Sequence, residues 1–156
     1  SLPKFIVYNF CMGRGSRKTK GALVQRSQKT PAREDIDPWM NGQCAAYAVA
    51  FQEKHPELGF AIEYWPMSES DARSECAESG EEWDGTTIWE AQHVYACSRE
   101  LAYDAEGSHP IPFEKEEGVI VEYDLSYDDI KYSGLLEYGY VESATEFIEE
   151  FQMDLD

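Results

Sequence analysis

NGQCAAYAVAF, residues 41–51, passes from a polar turn straight into a run of helix formers. Ala45, Ala46, Ala48 and Ala50 favour a helix, Tyr47 and Phe51 stand at an i,i+4 spacing, and Pro56 stops the run. A helix is therefore predicted over 42–55, with Asn41 or Gly42 as its cap. It places Cys44 in the first turn, where unpaired backbone N–H groups and the helix dipole stabilise a thiolate.

Working outward, KFIVYNF (4–10) and GFAIEYW (59–65) read as strands, as does GVIVEYDL (118–125). LLEYGYVE (135–142) is a further strand candidate, and SATEFIEEFQMDL (143–155) a capped amphipathic helix opened by Ser143 or Thr145. AQHVYACSRELAYDAEG (91–107) reads as a β-hairpin turning at Ser98 and Arg99. In that register Tyr95 faces Ala102, and His93 faces Asp104 on one side of the ribbon. No internal repeat is visible, and the chain length fits one domain over residues 1–156.

Two stretches interrupt these elements. Residues 11–40 are Gly-, Ser- and Lys/Arg-rich and read as a basic, mobile loop, while the acidic stretch 66–86 reads as an exposed insertion holding one short helix or none. The chain carries 31 acidic against 13 basic residues, a net charge of −18. The imbalance is uneven: residues 1–40 hold eight Lys/Arg against three Asp/Glu, and residues 41–156 hold five against 28. Such a body repels nucleic acid and membrane phosphates and favours basic protein surfaces.

No apolar run approaches the length of a membrane span, and the start SLPKFIVYNF lacks a signal peptide's layout. Cys11, Cys44, Cys76 and Cys97 show no CxxC pair and no scaffold spacing, so a reducing, cytoplasmic setting is expected. No metal or cofactor is expected. His109 and His55 read as loop and helix-end residues, and the paired acids Asp128/Asp129 and Glu149/Glu150 as solvated surface.

Chemistry then centres on Cys44, with His93 as base and Asp104 holding the second ring nitrogen. Gln43, Asn41 and Trp89 are the candidate oxyanion and substrate contacts. Cys in GQCAAYAVAF, then His in HVYA, then Asp in YDAEG, resembles the papain-like cysteine peptidase superfamily, in particular its NlpC/P60-like and transglutaminase-like members. The resemblance spans roughly residues 41–107. Gln43 is adjacent to the cysteine rather than several residues upstream, and Ala45 follows where papain proper has a tryptophan.

The resemblance implies an α+β domain, its Cys-bearing helix packed on an antiparallel sheet, with a C-terminal helix completing the expected fold. It implies acyl-transfer chemistry as a peptidase, amidase, deamidase or acyltransferase, on a protein or peptide substrate. The bulk charge supports an alternative: a non-catalytic acidic binding or inhibitor protein, a nucleic-acid mimic included, that engages a basic partner surface.

Overall fold

The structure, a computed structural model, describes the backbone of residues 4–6 and the whole of residues 30–111 and 118–155. It is an α+β fold. A sheet of order β5-β4-β3-β2-β6 is built from β2 (Gly59–Pro66), β3 (Ile88–Cys97), β4 (Leu101–Asp104), β5 (Gly107–Pro110) and β6 (Ile120–Leu125). These neighbours are all antiparallel, while β1 (Lys4–Ile6) lies parallel to β3. The helices are α1 (Arg33–Met40), α2 (Cys44–Lys54), α3 (Glu69–Glu78), α4 (Tyr127–Tyr132) and α5 (Val141–Glu150).

The alanine-rich helix is α2, and every side chain from Cys44 to Phe51 is buried. A helix that is apolar all round must be enclosed, and α2 is. One side meets Phe60, Ile62, Tyr64, Ala91 and Val94 of the sheet. The other meets Trp39 and Met40 of α1 and Ala144, Phe147 and Ile148 of α5. The i, i+3, i+4 spacing of those three α5 residues is what makes that helix amphipathic. Gln43, rather than Asn41 or Gly42, stands at the N-cap, and no side chain caps the helix. Instead the Gln43 N–H donates to Pro38 O at 3.0 Å, tying α2 to the end of α1.

Several expectations change. Residues 33–40, expected in a basic loop, form α1, where Asp35 accepts the Ala32 N–H at 2.9 Å and holds the first turn. Expected features of residues 7–29 and 112–117 lie outside the described residues. The acidic stretch holds one helix, the first of its two expected forms: α3 forms because Ser68 accepts the Asp71 N–H and acids fill its first turn. Residues 135–142 are no strand: Tyr138–Tyr140 form a 3-10 turn that runs directly into α5, which starts at Val141 without a Ser or Thr cap. His109 is not in a loop but on β5, paired with Ala102.

The hairpin forms with a shifted register. Ser98 N–H donates to Leu101 O, so Arg99 and Glu100 make the turn, and the pairs are Ala96↔Tyr103 and Cys97↔Ala102. Side chains alternate with a period of two, and the shift moves each partner by two, so His93 and Asp104 stay on one face. One further irregularity matters. β2 pairs Glu63 with His93 but Tyr64 with Ala91, which leaves Gln92 as an extra residue.

Candidate functional site

His93 and Asp104 do come together. His93 Nε2 lies 3.0 Å from Asp104 Oδ2, with the imidazole fully buried. The carboxylate is held further by His109 Nε2, 2.9 Å from Oδ1, and by the Glu106 N–H at 2.9 Å. Burial alone would raise the Asp104 pKa, but the charges and hydrogen bonds of His109 and His93 override it, so the group is held well below the usual carboxylate range.

The network extends across the sheet. Tyr95 packs edge-on between the two imidazoles, 4.5 Å from the His93 ring and 5.7 Å from that of His109. Its hydroxyl donates to Glu63 Oε1 at 2.9 Å, and Glu63 Oε2 accepts the Trp65 indole N–H. At the far end Arg33 Nη1 donates to Glu106 Oε2 at 2.6 Å. Glu106 nevertheless has a raised pKa, because burial outweighs the guanidinium. His109 escaped the sequence reading because HPIP resembles a turn; the signal that finds it is its spacing from Asp104 across the tight turn at 105–106.

Cys44 does not join this group. It lies in the cluster containing Val94, next to His93, whereas His93 packs on Tyr95, whose cluster is Ala61, Cys97, Ala102 and Val121. Neighbouring residues of a strand point to opposite faces, so the sheet lies between sulfur and imidazole. Cys44 is 3% exposed and disulfide-bonded, while Cys76 and Cys97 are free. A sulfur held in a disulfide has no thiolate to offer. Burial also raises the Cys97 thiol pKa, away from reactivity.

The remaining candidates are scattered. Asn41 is exposed at the end of α1, Gln43 is half-buried beside Cys44, and Trp89 is half-buried against the α2 side of the sheet. The Gln43 Oε1 and Trp89 Nε1 atoms are both buried, with no hydrogen-bond partner among the described residues. Asp129 is used as the capping-box acid of α4, accepting from the Ser126 N–H. Among the described residues, no group of three or more His, Cys, Asp or Glu side chains is arranged to hold a metal ion. No described helix is long and apolar enough to cross a membrane.

The surface presents a different chemistry. Of the described acids only Glu63, Asp104 and Glu106 are buried; the rest face water at least in part. On α3 and the start of β3 they crowd: burial first, then the charges of Asp71 and Glu75, raise the Glu90 pKa. The nearby base Arg73 is occupied, with Nη2 2.8 Å from Glu69 and its guanidinium 5.1 Å above the Trp83 ring.

Compared with known protein families, characterised proteins and solved structures, the chain matches none.

Proposed function

We propose that this chain is a non-catalytic acidic binding protein that engages a basic surface on a partner protein. The observation that carries the reading is the segregation of charge. The buried acids are paired or hydrogen-bonded, Glu106 with Arg33 of α1 and the other two within the sheet, while the other described acids remain at the surface in large excess over bases. Bases that do lie near them are already engaged, as Arg73 is by Glu69 and Arg33 by Asp37 and Glu106. Uncompensated surface charge of one sign stores repulsion that a basic partner relieves, and it steers association over a Debye length. Imitation of a nucleic acid's charge is one form of this activity.

The test is binding of the full chain to a basic peptide at increasing salt. Affinity falls steeply as salt rises, and Cys44→Ala leaves it unchanged. Salt-independent binding, or none at low salt, removes the reading.

The second reading is a papain-like thiol acyltransferase, and the His93–Asp104 contact of 3.0 Å is the observation that favours it. It requires Cys44 to be reduced and brought across the sheet to that pair. Iodoacetamide at neutral pH would then label Cys44 ahead of Cys76 and Cys97, and His93→Ala would slow the labelling. The disulfide at Cys44 supports, in place of the cytoplasm, a compartment that sustains such bonds.

A further inference from the structure

We propose that the tyrosine-bearing surface of α4 and the following 3-10 turn is the docking face for an arginine-rich segment of a partner protein. The inference rests on the acidic-binder reading and says where the binding occurs and what it selects.

Among the described residues the exposed large apolar side chains are four tyrosines, all within residues 127–140: Tyr127 at 39%, Tyr132 at 81%, Tyr138 at 54% and Tyr140 at 43%. Tyr127 and Tyr138 are joined through their hydroxyls, and Tyr132 and Tyr140 stand on the same two elements. Exposed aromatic side chains concentrated on one stretch of chain mark interaction sites.

The rings stand on anchored backbone. Ile130, fully buried, and Leu135 plug α4 and its exit into the core beneath α2, and Ser126 with Asp129 closes a capping box at the helix start. Tyr127 donates to the Tyr138 hydroxyl at 3.4 Å, which links the helix to the 3-10 turn. Rigid tyrosines give up little entropy on binding, which is why they serve as anchors in paratopes and at interface hot spots.

Acids lie near Tyr127. The Tyr127 phenol is pushed up to about 12, by the hydrogen bond to Tyr138 and by the nearby charges of Glu53 and Asp128. A ring face beside a carboxylate suits a guanidinium better than an ammonium, because the planar fork stacks on the ring while its edge pairs with the acid. Among the described residues Arg73 makes this arrangement, over Trp83 and against Glu69. Phosphate-bearing partners are repelled by the same acids.

The experiment is fluorescence anisotropy of a labelled arginine–glycine peptide and its lysine counterpart, titrated with the full chain at physiological salt. Two double variants are compared: Tyr132→Ser with Tyr138→Ser, and Glu78→Lys with Glu82→Lys on the α3 surface. Both pairs are exposed, and far-UV circular dichroism checks that each variant is folded.

The tyrosine variant is expected to bind the arginine peptide about tenfold more weakly, as loss of hot-spot rings does. The lysine peptide, bound by charge alone, changes by less than about twofold, and the α3 variant weakens the arginine peptide less than the tyrosine variant does, since it keeps the rings. If the tyrosine variant binds as wild type while the α3 variant loses binding, the docking face is overturned and the acidic-binder reading stands. If wild type binds neither peptide even at low salt, that reading falls and takes this inference with it. If the chain ignores the peptides but self-associates through these tyrosines, the occupant is a second copy and the assignment to an arginine-rich partner is overturned.

Discussion

His109 Nε2 lies 2.9 Å from Oδ1 of Asp104, the carboxylate oxygen opposite the one that His93 Nε2 approaches at 3.0 Å. One carboxylate thus joins three strands: β3 through His93, its own β4, and β5 through His109. With the Glu106 N–H also donating to Oδ1, the group reads as a structural clamp at the sheet's edge.

Asp104→Asn should destabilise the fold by about 3 kcal/mol, the cost of removing one partner from a buried ionic group. The pH dependence carries the sign. Because the folded-state pKa is depressed, the carboxylate's contribution is fully present above its unfolded value of about 3.9 and is lost as pH falls below it. The resistance of wild type to urea should therefore fall below about pH 4, while the variant's acid limb is flatter. Equal slopes for both proteins would show that Asp104 is not the linked group.

Cys44→Ser removes a disulfide from the start of α2 and should cost about 2–4 kcal/mol by chemical denaturation. A reducing agent should destabilise wild type by a similar amount and leave the variant unchanged. Wild type and variant of equal stability under oxidising conditions would mean that the bond does not form in solution.

Phe51→Ala should cost about 3–5 kcal/mol, the range for large aromatic truncations in a packed core. Phe51 is 1% exposed and stacks on Tyr103 at 5.2 Å and on Tyr47 at 6.0 Å, joining α2 to β4. A loss below about 1 kcal/mol would show that the site collapses around the cavity.

Ser126→Ala should lower stability by about 1 kcal/mol, since it removes the acceptor of the Asp129 N–H. It should also weaken the binding of basic peptides, because α4 carries Tyr127 and Tyr132. Unchanged amide-exchange protection across 126–132 would show that the cap does not hold this helix.

Much of the fold is legible where a single physical signal dominates. Four alanines and a following proline locate α2 closely, and alternating or β-branched runs locate β2, β3 and β6. The His93–Asp104 contact survives an incorrect hairpin register, because a shift of each partner by two residues preserves the facing of side chains.

What stays hidden depends on tertiary partners. Val94 looks no different from Tyr95 as a strand residue, yet one packs on α2 and the other beside an imidazole, so the side of the sheet that meets Cys44 cannot be read from spacing. His109 is disguised by the prolines that follow it, Pro110 and Pro112, and α1 by the basic composition of the residues before it. Tyr138 and Tyr140 carry strand propensity but lie in a 3-10 turn, an override by the helix that follows.

Gln92 sets where this protein tolerates a change in length. Trp89 and Ala91 lie on the α2 side before it, Val94 and Ala96 after it, so the phase of β3 runs odd, then even. Excising that one glutamine leaves both halves facing as they do now, with only a straighter ribbon. An added residue elsewhere between 88 and 97 has no such spacer to absorb it and turns one half inside out, setting imidazole and phenol against hydrocarbon.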